Sequence, residues 1–259
     1  MGPDTRHQDP GDPDFSDLSI SWLLRQRELY RTAPLSTRCR EMFEGVDGYM
    51  TVERPANRSD GSGAIMRVAP AGLSNPPDRA AEVAVWLAAL THGHPRAHAA
   101  SAAYAAIVAA LADGVPLDAA VSAACRVAAG LPGAEPLPAA LERALTLAAT
   151  WSGDPALRAE LGSGRTSLSA LLHAVFSVAA TDSYEQAVAT AVHHDGASAT
   201  PGALSGQLAA LLYGADAIPT GWRDVCPVAD LIDTLACDWA AILDGAGLSH
   251  VRAKGYRPF

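Results

Sequence analysis

Three titratable residues stand in a row at His193-His194-Asp195, directly before Gly196-Ala197-Ser198-Ala199-Thr200 and an alanine-rich pattern from Pro201 to Tyr213. Imidazole changes charge near neutrality, so either histidine can take up or deliver a proton. A carboxylate beside them can act as a general base or can face a developing positive charge. His193, His194 and Asp195 are therefore the candidate catalytic groups. The same row also suits a solvated loop cap, and both readings stand at this level. Thr200-Pro201 has the form of a helix start, with a capping hydroxyl followed by proline at the first helical position.

A second stretch with chemical potential is Gly61-Ser62-Gly63. Glycines let a ligand approach the backbone closely. A helix that follows offers free N–H groups and the positive end of its dipole to an anion. A plain helix entry after a loop is the alternative. Arg67 can pair with a phosphate or sit in a structural ion pair, and Asp60 is a loop acid beside the glycines. His92, His94 and His98 cluster at the start of another helix pattern. His94 and His98 have the i, i+4 spacing of a metal pair, but no acidic residue lies near them in the chain, so capping and packing suit them better. Asp182 and Glu185 read as a capping-box-like helix entry.

These residues must be carried by helices. The chain has 259 residues, 49% hydrophobic and only 6% aromatic, with much of the apolar content alanine. Alanine is the best helix former and lets helices pack closely, and alternating β-branched runs are almost absent. Helical patterns are predicted at 18–30, 37–43, 64–73, 78–91, 95–112, 116–129, 137–151, 155–161, 166–180, 184–193, 201–213 and 227–244. Turn signals separate them, among them Asp113-Gly114, Leu131-Pro132-Gly133 and Gly153-Asp154-Pro155. Short links between many helices predict an all-α, compact multi-helix bundle over 18–247. The Asp- and Pro-rich stretch 1–17 reads as a disordered arm, and 248–259 as a basic tail.

The net charge of −9 disfavours a general nucleic-acid surface. An anionic small ligand stays compatible, because a helix N-terminus acts locally. The four cysteines, Cys39, Cys125, Cys226 and Cys237, form no zinc pattern and read as reduced thiols of a cytoplasmic protein. The polar first residues do not resemble a signal peptide, and no apolar run is long enough to suggest a membrane span.

Three stretches together resemble the ADP-ribosylglycohydrolase family, of the dinitrogenase-reductase-activating type. Gly61-Ser62-Gly63-Ala64-Ile65-Met66-Arg67-Val68-Ala69-Pro70 is similar to the family's Gly-x-Gly-Ala-x-Met-Arg-x-x-Pro run. Thr91-His92-Gly93-His94-Pro95-Arg96-Ala97 is similar to its Thr-His-x-His-Pro helix opening. Gly196 to Tyr213, with Ile218-Pro219 and Trp222, follows its Gly-Asp-Thr-Asp-Thr loop, small-residue helix and Ile-Pro-x-x-Trp. The three occur in the family's order, and the resemblance spans residues 18–245. It implies the family's all-α fold and a pocket for a ribosyl, ADP-ribose-like ligand. It also implies that the glycine loop and the Gly196 loop converge on that ligand. Gly61, Ser62, Gly63, Arg67, Asp60, His94, Gly196, Ser198 and Thr200 are its candidate binding residues.

The departures concern metal. The family's two loop aspartates fall on Ala197 and Ala199, and only Thr200 keeps its type. The family's opening Thr-Asp-Asp-Thr motif has no counterpart, so the chain reads as shortened at its N-terminus. Mg²⁺ needs oxygen ligands with carboxylate charge, so no family-type dinuclear metal site and no cofactor are expected. Three functions follow from the resemblance. One is a divergent, metal-independent glycosidase-like enzyme, with Asp195 facing an oxocarbenium-like centre. Another is a catalytically dead nucleotide-binding protein. The third is a subunit completed by a partner chain. A bundle lacking its opening helices exposes an apolar face, so a homodimer or hetero-complex is expected.

Overall fold

The computed structural model describes residues 51–55, 57–154 and 158–245. Among these the regular structure is helical, apart from one isolated antiparallel bridge between Gly61 and Thr166. A 3-10 turn (Ile65–Arg67) leads into α1 (Ala69–Ser74), α2 (Pro77–Ala89), α3 (Pro95–Ala112), α4 (Leu117–Ala128) and α5 (Leu137–Ala149). There follow α6 (Ser167–Ala179), α7 (Tyr184–Val192), α8 (Ala199–Tyr213), a 3-10 turn (Ala215–Ala217), α9 (Thr220–Asp224) and α10 (Ala229–Leu243). The all-α expectation is met. The predicted arm at 1–17, the helices at 18–30 and 37–43, Cys39 and the tail at 248–259 lie outside the described residues. Of the helix predicted at 155–161, only Arg158 and Ala159 are described as helical, before a turn.

The centre of the bundle is α3, where every residue from Ala97 to Leu111 is buried. A helix apolar all round must be covered on all sides. Here α1, α2, α4, α6 and α8 pack on it, and α5 and α7 pack on α6. Alanine faces keep these helices close, and Tyr104 and Phe176 are the largest side chains sealed between them. The buried Tyr104 hydroxyl is 2.7 Å from Gln207 Oε1 and 3.1 Å from the Leu204 carbonyl, which ties α3 to α8. Tyr104→Phe leaves those acceptors short of a donor, so a loss of about 1–2 kcal/mol is expected in urea unfolding.

Several helix starts agree with the sequence; the stretch at 64–73 and the cap of α7 do not. His94 caps α3, its Nδ1 accepting from Arg96 N, with Pro95 at the first helical position. The predicted helix at 64–73 is split, because Pro70 cannot donate to the Met66 carbonyl four residues back. That carbonyl instead faces Gln207 Nε2 at 3.5 Å. The predicted capping pair Asp182 and Glu185 is corrected: the cap of α7 is Ser183, whose hydroxyl accepts from Gln186 N.

The last helix differs from the rest. Leu231, Ile232, Leu235, Trp239 and Leu243 on α10 are exposed, as are Val225 and Val228 before it. No described helix packs extensively on α10. No helix among the described residues is long and apolar enough to cross a membrane.

Candidate functional site

The chemistry-bearing stretches meet at the ends of α3, α6 and α8. The loop before the first 3-10 turn lies against the segment that enters α6. Ser62 N donates to the Arg165 carbonyl at 2.8 Å, Ser167 N to the Asp60 carbonyl at 2.8 Å, and Ser167 Oγ to the Gly61 carbonyl at 2.9 Å. The α6 entry is in turn locked to the loop before α8, with Ala197 N donating to the Ser163 carbonyl at 2.9 Å. Gly164 sits at φ +70, and a Cβ there would lie 2.5 Å from the Ala197 carbonyl. Only glycine fits a left-handed residue pressed against another backbone. Ser62 Oγ donates to Thr200 Oγ1 at 3.2 Å, across 138 residues, and closes the ring.

That hydroxyl pair corrects the expected role of Thr200. The helix begins at Ala199, with Ser198 in the cap position and no side-chain capping bond. Thr200 is buried inside the first turn, and its oxygen is used by Ser62. A long-range bond has displaced the local capping option.

The second motif flanks the first. Gly63 packs on the His92 ring, where an added Cβ would stand 3.2 Å from Cε1. Asn57 Nδ2 donates to the Thr91 carbonyl, and His94 N to the Ser59 carbonyl. His98 is buried, with Nε2 donating to the His92 carbonyl at 2.6 Å. Burial holds its pKa down against that bond, with His94 adding to the lowering. His94 Nδ1 is occupied as the α3 cap, so the i, i+4 pair serves capping and packing.

Of the two roles open to Arg67 by sequence, phosphate contact or structural pairing, its hydrogen bonds are structural ones. Its guanidinium donates to the Leu87 carbonyl at 3.0 and 3.2 Å, to the Gly63 carbonyl at 3.3 Å, and to Thr91 Oγ1. Leu87 lies in the last turn of α2, whose final carbonyls lack helical partners. The arginine clamps that helix end to the glycine loop.

The row of three titratable groups is divided by the fold. His193 and Asp195 are exposed, whereas His194 turns inward. His193 Nδ1 donates to the Ala189 carbonyl at 2.7 Å, which fixes the neutral tautomer with Nε2 as the free acceptor. The His194 ring stacks on His173 at 4.1 Å with an interplanar angle of 13°. Both His194 ring nitrogens are buried without a partner. The fold thus gives His194 a packing contact with His173 and leaves His193 and Asp195 as the exposed groups of the row.

His173 and Arg158 were not singled out by sequence. His173 is 0% exposed on α6, with Nε2 donating to the Gly162 carbonyl at 2.8 Å and Nδ1 unpartnered. Arg158 is 6% exposed, lies over the Trp151 ring and donates to the Thr190 and His193 carbonyls at the end of α7. Burial drives the His173 pKa down to about 4, against the Gly162 bond, with His194 and Arg158 pushing further the same way. His194 is lowered by burial and then by Arg158. The Asp195 backbone and carboxylate oppose that shift. A histidine alone in the apolar pattern of α6 was the available sequence signal.

The residues do not fit the two-metal site that the family resemblance implies. Ala197 and Ala199 offer no side-chain oxygen, and the Ser62 and Thr200 hydroxyls are bonded to each other. Among the described residues no three His, Cys, Asp or Glu side chains gather as a metal cluster. A cleft of about 430 Å³ lies elsewhere, between α9 and α10, lined by Arg223, Asp224, Asp230 and Asp233 among others. It shares no residue with the converging loops.

Comparison with known proteins bears on the whole chain. The model of the ADP-ribosylglycohydrolase family matches residues 4–249. A solved structure described as an ADP-ribosylglycohydrolase-related protein complex is similar at 26% identity and a TM-score of 0.64, over 87% of this chain and 73% of that one. No curated protein matches.

Proposed function

This chain belongs to the ADP-ribosylglycohydrolase family, and from that membership we propose a divergent, metal-independent glycosidase-like protein acting on a ribosyl compound related to ADP-ribose or NAD. The carrying observation is the ring of contacts joining Gly61-Ser62, Ser163–Ser167 and Ala197–Thr200. These hydrogen bonds, made by the loops' own residues, keep both motif loops together. Gly61, Ser62, Gly63, Gly196 and Ser198 form the ligand-facing backbone of this reading, with Asp60 and His94 at its border.

The chemistry falls to the two exposed titratable groups. Asp195 would face the positive charge that grows on the ribosyl C1 as the glycosidic bond breaks. Water then bonds to C1, and its proton passes to His193 Nε2, the free acceptor of that ring. The leaving group departs with the bonding electrons. No step needs His194.

Two further readings have their own support. The alanines at 197 and 199 favour a nucleotide-binding protein without turnover. The exposed apolar row on α10 favours a chain completed by a second copy or another protein.

Calorimetric titration of ADP-ribose, NAD and AMP into the protein tests the shared premise. ADP-ribose should bind with submillimolar affinity and AMP more weakly. Absence of binding by all three at millimolar concentration removes both the enzyme and the binder readings.

A further inference from the structure

An ADP-ribose-like ligand carries two phosphates, and the protein around it is acidic overall, with a net charge of −9. Asp60 and Asp195 also lie in the converging loops. A cation close by strengthens the hold on a diphosphate there, beyond what backbone N–H groups supply. Arg67 is spent on the end of α2, with bonds to Leu87, Gly63 and Thr91. Arg158 is buried and bound to the end of α7.

Arg165 is placed differently. Its carbonyl receives Ser62 N at 2.8 Å, its neighbour Thr166 bridges to Gly61, and its other neighbour Gly164 is pressed on the Ala197 carbonyl. The backbone of residue 165 is thus pinned on both sides, between the glycine loop and the loop before α8. Its side chain is exposed, and neither hydrogen bond nor ion pair occupies the guanidinium among the described residues. Arg58 is also exposed, but its neighbours Asn57 and Ser59 are tied to Thr91 and His94 and not to the α6 entry or the loop before α8.

We infer that Arg165 is the phosphate-binding residue of this site, supplying the charge that Arg67 cannot. The assignment rests on the ADP-ribose reading above and names the group that selects a diphosphate-bearing ligand. A planar guanidinium can hold a phosphate through two parallel N–H bonds, which an ammonium cannot copy. Because the backbone under it is fixed, little further ordering is needed on binding.

The test is titration of ADP-ribose into wild type, Arg165→Ala, Arg165→Lys and Arg58→Ala, at low and high salt. The exposed positions should leave melting temperatures unchanged. Arg165→Ala is expected to weaken binding about tenfold or more, the range of a lost charged hydrogen bond, and to flatten its salt dependence. Arg165→Lys should recover only part of the affinity, and Arg58→Ala should bind like wild type. Wild-type affinity in Arg165→Ala overturns the assignment while leaving the ADP-ribose reading intact. Equal weakening by Arg58→Ala indicates diffuse charge and also overturns it. If wild type itself fails to bind ADP-ribose, the functional reading falls first and takes this one with it.

Discussion

Acidification from pH 7 to 4 is expected to remove about 3 kcal/mol of stability through His173 alone. The folded state holds this imidazole neutral, with a pKa near 4, chiefly because it is buried. Unfolded, it titrates near 6.5. As pH falls below 6.5 the unfolded chain binds the proton first, so folding is penalised. The neutral-state stability is complete above pH 6.5, declines between 6.5 and about 4, and falls no further below that. His194 stacks on the same ring and is shifted in the same direction.

The surroundings offer the pair little to accept a proton. Apart from His173, α6 carries no charged or titratable residue, and α8 carries only Tyr213, at its C-terminal end. Glu185 on α7 sits in the first turn, at the opposite end from the loop. Arg143 on α5 is paired with Glu160 at 2.7 Å. Arg158 repels a cation there, and Asp195 is the one carboxylate that pulls the other way. Urea midpoints should be measured from pH 7.5 to 4 for wild type and His173→Phe. The variant keeps a ring in the stack but cannot titrate. Its stability should fall less steeply than wild type between pH 6.5 and 4, while the carboxylates common to both cancel in the difference. Identical slopes would show that the stack does not set acid stability. Amide exchange at residues 193–197 should rise in wild type over the same window, because the stack anchors that loop.

Asp195→Ala is expected to lower turnover about 10²-fold, on the scale of a lost acid–base group. Asp195 is the exposed carboxylate of the loop that ends at Thr200. It makes no structural bond whose loss would unfold the loop, whereas Arg158, His173 and the Ser163 carbonyl do the anchoring. The change should therefore appear in kcat, with ADP-ribose affinity nearly preserved. Asp195→Asn, of equal size without the charge, should behave like the alanine variant if charge is what matters. Nicotinamide release from NAD is a direct readout. Unchanged kcat in both variants would remove Asp195 from the mechanism, and no release by wild type would favour the binder reading. His194→Ala should instead lower stability, because it removes the ring stacked on His173 and leaves a cavity in its place.

Local signals in the chain carried the helices well. The bounds of α3 followed from His94-Pro95 at one end and Asp113-Gly114 at the other, because capping and turn chemistry act over a few residues. The alanine pattern likewise predicted a helical bundle, and the described residues form one, since close-packed alanine faces need only other helices. The glycine and threonine motifs could be recognised by residue type. What they do was decided elsewhere. Thr200 had every local reason to cap α8, yet Ser62, 138 residues away, claims its hydroxyl. Arg67 looked free to meet an anion until the end of α2 was folded against it. His194 and Asp195 are neighbours in the chain, but one is stacked on His173 and the other faces water. Arg165 gained its place from the bridge between Gly61 and Thr166. Side-chain freedom at such a site depends on which helix ends meet, and those contacts join residues tens to more than a hundred positions apart, beyond the reach of any local pattern.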